Sequence, residues 1–436
     1  MMLDATHDPA LRSWVESANL PDCDFPIQNL PHAVFRRHGD TDYRGGVAIG
    51  DMIVDMAAAF ALGVFKGDAA GPAGLAGAAS LNCLMAAGPR AWAELRQALS
   101  TLLQTDAPAA QQLRLQCCLV PQAEAEYALP AQIGDYTDFF TSYHHMVNAG
   151  RLFRPDAPEL PNFKWLPIGY HGRASSVAIS GTVLRRPLGQ TCAPDAPPRF
   201  GPTRRLDYEV ELGAYIGQGN AHGQPIAIDM AEQNVFGLCL LNDWSARDVQ
   251  GWEAVPLGPF MAKNFLTTVS PWIVTLAALA PFRCPLPRSA GDPGLLAYLQ
   301  PAAGTLCSGV DIELEAWLNT SRSGPGRASA MRLSRSSARH AYWGLGQMVT
   351  HHTQNGCNLR TGDLLGSGTQ SGPEEGEQGC LLELSRGGRE PITLANGEIR
   401  AFLEDGDTVT LRGWCERSGY RRIGFGECSA TVVSAH

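Results

Sequence analysis

No stretch of this 436-residue chain approaches the roughly 18 consecutive apolar residues of a membrane-spanning helix; the nearest, Met52 to Phe65, is interrupted by Asp55. No membrane association is expected. The 12 cysteines contain no CxxC, only the adjacent pair Cys117 and Cys118, so neither a zinc ribbon nor a thioredoxin-type site is written here. Free thiols in a reducing cytoplasm fit that pattern. A positive field is also missing, since 34 Lys and Arg face 43 Asp and Glu for a net charge of −9, and nucleic acid is therefore not an expected partner. The first residues, with an acid at Asp4 and no apolar run behind a basic start, lack the marks of a secretory signal. No internal repeat of fixed period is present.

What the chain has in plenty is punctuation. Its 47 glycines and 30 prolines exceed the usual combined share of about 12%, while the hydrophobic fraction of 44% is ordinary for a globular protein. Many turns and short strands around a real core follow, and the length suits two or three domains. Residues 1–120 carry short apolar runs such as VAIGDMIVDM (47–56), whose alternation around Gly50-Asp51 predicts a hairpin. They also carry an Ala/Gly tract (69–79) that reads as a surface loop and a helical stretch from Pro89 to Leu103. This is the texture of a small β-barrel domain. From 121 to 436 the runs are β-rich, for example VFGLCLL (235–241), WIVTL (272–276) and LLELS (381–385), which predicts a mixed β catalytic domain with few helices.

Several segments could carry chemistry. In LDYEVEL (206–212), a strand would put Asp207, Glu209 and Glu211 on one face and Tyr208, Val210 and Leu212 on the other. Stacked like charges call for water or a hard cation, and an oxygen cluster is what Ca²⁺ or Mg²⁺ demands. The same ladder recurs at Asp311, Glu313 and Glu315, and by spacing alone either one is first of all a solvated strand face. NDWSARDVQ (242–250) follows an apolar strand, where loops display functional groups. It also permits a Ser245/Asp248 capping box and an Asp243/Arg247 ion pair, with Arg247 and Gln250 on one helix face beside Asp243. Lys263 is the only charge between Val255 and Val274, so it either snorkels to water or is buried against carboxylates. If Asp138 to His145 is helical, His145 lies within about 20° of Asp138 and His144 about 120° away, which prefers His145 over His144 as the functional histidine, while a structural hydrogen-bonding role is the first reading of either one taken alone. The Gly-rich loop containing Thr369 could bind an anionic group through backbone N–H donors or be only a turn, and Glu383 among leucines could orient a histidine or sit exposed on a strand.

The wording of the chain adds what spacing leaves open. IGDYTDF (133–139), GYHGRASS (169–176), RRPLGQ (185–190), NDWSARD (242–248), PLGPF (256–260), TTVSPW (267–272), NGCNLR (355–360), GDLLGSGT (362–369), SGPE (371–374) and GFGEC (424–428) resemble, in order, the motifs of the fumarylacetoacetate hydrolase family. DFPIQNLP (24–31) and GVAIGD (46–51) are similar to that family's N-terminal domain, so the resemblance covers nearly the whole chain. It implies a small SH3-like barrel followed by a mixed β-sandwich roll, a homodimer, and hydrolysis of the carbon–carbon bond of a diketo-dicarboxylic acid. Carried over residue by residue, it implies a Mg²⁺ or Ca²⁺ ion held by Asp138, Glu209, Glu211 and Asp243 with Lys263 and Thr267 close by. His145 would activate water, oriented by Glu383, while Arg247, Gln250 and Lys263 stabilise the oxyanion. Arg154, Tyr170, Gln250 and Thr369 would hold substrate. Phe140 and Ala254 stand where the family usually has substrate-contacting tyrosines. A lyase of the wider superfamily is the competing reading, and a decarboxylase has no need of a His–Glu dyad. A non-catalytic scaffold would be expected to have lost one of these groups.

Overall fold

The structure is a computed structural model that describes residues 3–193, 195–302, 309–324 and 326–435. Its centre is a mixed sheet in which Ile168–His171, Tyr136–Phe140, Leu364–Gly366, Val210–Ile216, Val235–Asp243, Thr267–Val269 and Val177–Ile179 lie side by side, with Val274–Thr275 also pairing Val235–Asp243. A second sheet runs Met331–Ser337, Glu313–Asn319, Thr408–Cys415, Ile423–Val433 and Thr182–Arg185. Leu212, Leu238 and Leu240 of the first pack with Leu314, Leu411 and Phe425 of the second, so the two sheets form a sandwich.

The opposite face of the central sheet is covered too. Tyr215, Phe236, Leu241 and Leu364 share a core with Val34, Ile49, Leu95 and Leu99 from the N-terminal part. Burial on both faces explains why all nine residues of Val235–Asp243 are buried and why VFGLCLL reads as a continuous apolar run. The N-terminal part holds an antiparallel sheet in the order Leu119–Pro121, Met52–Asp55, Arg44–Ile49, His32–Arg37 and Ala125–Ala128. The hairpin expected at Gly50-Asp51 is there, with Gly50 at φ +61° in a turn that a side chain would strain. The helix over Gly88–Leu103 buries Leu95, Leu99, Leu102 and Leu103.

Two readings need correction. The Ala/Gly tract is not a surface loop but a helix, Ala70–Ala76, that buries Pro72, Ala73 and Ala76. Its small residues permit close approach: a Cβ on Gly45 would lie 1.7 Å from the Ala76 carbonyl oxygen. LLELS is a helical turn, Leu381–Leu384, rather than a strand, and Asp207 caps it by accepting from the backbone N–H groups of Leu381 and Leu382 at 2.8 and 2.9 Å.

Candidate active site

Strand register builds the site. Val210 pairs with Asn242, which brings Glu209 and Glu211 beside Asp243, and Asp243 pairs with Thr267 on its other side. Asp138 arrives from Tyr136–Phe140, in parallel register with Gly366. Glycine is required at that position, because a Cβ on Gly366 would stand 2.5 Å from Asp138 Oδ1 and 3.2 Å from Glu211 Oε2. The four carboxylates Asp138, Glu209, Glu211 and Asp243 each place an oxygen within 4.8 Å of the others, all buried.

Charge compensation is incomplete. Lys263 Nζ donates to Glu209 Oε2 at 2.6 Å and to Asp243 Oδ2 at 2.7 Å. The lone lysine is therefore buried against carboxylates and does not snorkel. Arg247 contacts Glu209 at 2.6 Å and Asp207 at 2.9 Å, while Thr267 Oγ1 and the Tyr170 hydroxyl donate to Asp243, both at 2.9 Å. The Gly368 N–H donates to Asp138 and Glu211 at 3.2 and 3.1 Å, so the Gly-rich loop serves the protein's own carboxylates. Glu211 Oε1 has no partner. Burial first, then repulsion from Asp243 and Glu209, pushes the Asp138 carboxyl up to about 8 even against the pull of Lys263, and burial with the Asp138 charge drives Glu211 upward as well. For Glu209, Lys263 and Arg247 overcome the burial penalty and hold it well below the carboxylate range. A buried set of four oxygen-donor side chains with an orphaned oxygen fits a divalent cation.

Beside this cluster, His145 Nδ1 lies 2.7 Å from Glu383 Oε1. Glu383 also accepts from Ser371 Oγ and Asn148 Nδ2, each at 2.8 Å, and Cys380 Sγ is 3.3 Å away. Burial would raise the Glu383 carboxyl, but His145 and these donors hold it below its ordinary value. His145 also lowers Glu209 electrostatically, which places the dyad next to the carboxylates. The Asp138–His145 helix does not form. Asp138 is on a strand, and the helix Tyr143–Phe153 starts only after Ser142, whose Oγ accepts from the His145 N–H. His145 is thus buried by its place in the first turn, whereas the half-buried His144 meets His340 edge-on.

The other expected contacts divide. The helix Arg247–Glu253 has no side-chain cap; Ser245 Oγ donates to the Asp243 carbonyl, and Asp248 accepts from Thr203 and Arg204, so the capping box is absent. Arg247 pairs with Asp207 and Glu209 instead of Asp243, and its Nη1 donates to Gln250 Oε1 at 3.3 Å. Asp207 is not part of the cluster, because the regular strand breaks after it and resumes at Val210. Thr369 is buried with an unpartnered hydroxyl, and Phe140 packs its ring edge-on against His145 at 5.3 Å. Ala254 ends the helix Arg247–Glu253, and Tyr170 and Lys263 line a cavity of about 170 Å³ that opens on Asp243 and Thr267. Arg154 is exposed at the far end of the His145 helix, where its guanidinium donates to the Pro158 carbonyl, and it is not gathered into the cluster. Asn148 and Ser371 went unnoticed in the sequence; for Asn148, the three-residue step from His145 along one helix face was the available signal.

The described residues contain no helix long and apolar enough to cross a membrane. Fold and site together define a β-sandwich protein whose buried carboxylate cluster, able to hold a metal ion, lies beside a His–Glu pair. Residues 136–433 match the family model for the fumarylacetoacetate hydrolase C-terminal domain, and residues 28–130 that for the fumarylacetoacetase N-terminal domain. Fumarylacetoacetase of Oryza sativa subsp. japonica is 46% identical over 441 residues, covering 100% of both chains, and that of Homo sapiens is 46% identical over 95% of this chain and 97% of its own. A solved fumarylacetoacetate hydrolase from psychrophilic Exiguobacterium antarcticum shares the fold, with a TM-score of 0.50 at 16% identity over 93% of this chain and 100% of that one. The chain belongs to the fumarylacetoacetase family.

Proposed function

We propose that this protein hydrolyses the carbon–carbon bond of 4-fumarylacetoacetate to fumarate and acetoacetate, the last step of tyrosine and phenylalanine breakdown. The observation that carries the reading is the 2.7 Å contact between His145 and Glu383 beside four buried carboxylates. With Nδ1–H donated to Glu383, the Nε2 of His145 is left as the base that takes a proton from water. Water oxygen bonds to the fumaryl carbonyl carbon, and the carbon–carbon bond then breaks with its electron pair leaving on acetoacetate. Lys263, held charged by Asp243 and Glu209 against its burial, faces the negative charge and supplies the proton to the leaving carbon. The Arg247 Nη2 group, buried without a partner, and Gln250 are further donors for the oxyanion. Tyr170 and Thr369 hold substrate, and the exposed Arg154 is positioned to meet a carboxylate only if that helix end turns toward bound substrate.

Mg²⁺ or Ca²⁺ is the proposed ion, held by Asp138, Glu209, Glu211 and Asp243 with Lys263 and Thr267 at its edge; when bound it supplies Lewis-acid stabilisation of the diketone oxygens. Residues 1–120, with Ala125–Ala128 completing their sheet, would form the supporting domain and the remainder of 121–436 the catalytic one. A homodimer in the cytoplasm completes the reading. Phe200, Trp252, Val255, Leu257 and Phe260 are exposed, Leu257 at 96%, which leaves an apolar surface suited to a second copy. Turnover of fumarylacetoacetate and an acylpyruvate side by side tests the function: release of fumarate and acetoacetate with little action on the acylpyruvate is expected, and the reverse preference would refute it.

A further inference from the structure

A cavity of about 210 Å³ lies between the N-terminal part and the central sheet, away from the carboxylate cluster. One of its walls is Arg96, 6% exposed, whose guanidinium donates to the carbonyls of Asn29 and Gln28 at 2.8 and 2.6 Å and to Thr6 Oγ1 at 3.0 Å. No carboxylate bonds it directly. The nearest acid in that chain of contacts is Asp4, reached through Thr6 at 2.6 Å, and its own side chain is half exposed. A buried guanidinium bonded only to neutral oxygens retains most of its desolvation penalty, and burial accordingly lowers the Arg96 group to about 10. His32, 5% exposed, also lines the cavity, and its Nδ1 has no partner. Asp4 and His7, which contact each other at 3.0 Å, and Thr275 also line the cavity, and the rest of its wall is apolar and partly aromatic: Trp92 meets Phe236 edge-on at 5.2 Å, and the His32 ring lies 5.5 Å from Phe236.

We propose that this interdomain cavity is a binding site for a small aromatic carboxylate, its charge toward Arg96 and His32 and its ring between Trp92 and Phe236. The volume lies below the roughly 300–1,000 Å³ of drug-sized sites, which limits the ligand to about one ring. Guanidinium and imidazole N–H donors match a carboxylate, and each terminal guanidinium nitrogen keeps one N–H because it carries two protons and donates one to a carbonyl. Leu30, another wall residue, is held at φ +56°, a conformation costly for leucine, which fixes the backbone that Arg96 grips.

The probe is benzoate, titrated calorimetrically into the metal-loaded enzyme, with benzamide as the uncharged match. One benzoate per chain is expected and no binding of benzamide. Arg96→Lys and His32→Phe should each weaken binding about tenfold or more, since a directed donor is lost in each. Ala93→Trp, which plugs the exposed mouth, should abolish binding while turnover persists. Lys263→Gln should leave the isotherm unchanged, because it alters the active site only. Arg96 also holds two carbonyls, so if Arg96→Lys does not fold, His32→Phe and Ala93→Trp carry the test. Absence of benzoate binding, equal binding of benzamide, or an isotherm lost in Lys263→Gln but kept in Ala93→Trp would overturn the proposal.

Discussion

Two segments of this chain carry glutamates at alternate positions, Glu209 just before a strand with Glu211 inside it, and Glu313 and Glu315 within another strand, and the sheets treat them in opposite ways. Glu313 and Glu315 face arginines of the next strand: Arg335 binds Glu313 at 2.8 Å and Arg332 binds Glu315 at 3.0 Å, with Trp317 donating to Glu315 at 2.8 Å. Each acid there has its own cation, and water reaches the arginines. Glu211 instead lies opposite Leu241, with more acids arriving from Asp138 and Asp243. Its Oε1 is left bare. The difference teaches that alternate acids on a strand acquire meaning from the strands on either side, which decide whether charge is cancelled pair by pair or concentrated until an ion must supply the balance.

The sharpest way to test that contrast is to remove the concentrated charge. Glu211→Gln, or chelation followed by verified metal removal, should reduce hydrolysis to background, and Mg²⁺ or Ca²⁺ should restore the chelated enzyme. Full activity of the stripped protein would refute the reading. A pH signature accompanies it. Asp138 is raised in the fold from the ordinary 3.8 to about 8, so the ion-free protein loses stability progressively as pH rises toward and through that value. A cation competes with the proton, so its affinity should climb with pH up to about 8 and its binding should release protons, measurable by calorimetry in buffers of different ionisation enthalpy.

A smaller but still large effect is expected at the dyad. His145→Ala should lower kcat roughly 10³-fold with metal affinity retained, within the usual range for a general base, and His144→Ala should be far milder. A dead His144 variant with an active His145 variant would reverse the assignment.

These residues also show what the sequence made legible. The strand pairing partners of LDYEVEL could not be read from spacing, and the resemblance to a family, rather than periodicity, separated one ladder from the other. His145 was singled out through a helix that does not exist; its true position follows from Ser142 capping a helix that begins five residues after Asp138. Glu383 was placed on a strand because leucines flank it, yet Asp207, distant in sequence, caps a helical turn there. The Ala/Gly tract looked like a loop because small residues carry little hydrophobic signal, while in the fold that smallness is what lets a helix press against Gly45. Hairpin turns and the long amphipathic helix were legible because their cues are local. Glycine clearances, ion pairs and most caps depend on contacts tens to hundreds of residues apart.

A moderate effect is expected from the two absent tyrosines. Phe140 packs edge-on to His145 at 5.3 Å, so this position borders the dyad. Phe140→Tyr with Ala254→Tyr should lower KM for fumarylacetoacetate, each bond to a charged group contributing about 1.5–3 kcal/mol, and should narrow the range of diketone acids accepted, with kcat less affected. An unchanged or raised KM, with fold and metal content confirmed, would mean that other residues make those contacts.

The smallest effect is the control that closes the comparison. Glu313→Gln with Glu315→Gln removes two charges, one more than Glu211→Gln, but the arginine partners here are about half exposed and return to water when released. Exposed ion pairs of this kind contribute about 1 kcal/mol or less each. Glu315 is itself buried at 6% exposure, and a glutamine there keeps an amide oxygen to accept from Trp317, which limits the cost of leaving its indole N–H without a partner. Urea denaturation should therefore report a loss of about 1–2 kcal/mol at most, while the cation isotherm and kcat stay at their original values. Were this double variant to lose the ion, the second ladder would be coupled to the first through the sandwich core, and neighbouring strands alone would not explain why one ladder gathers charge and the other disperses it.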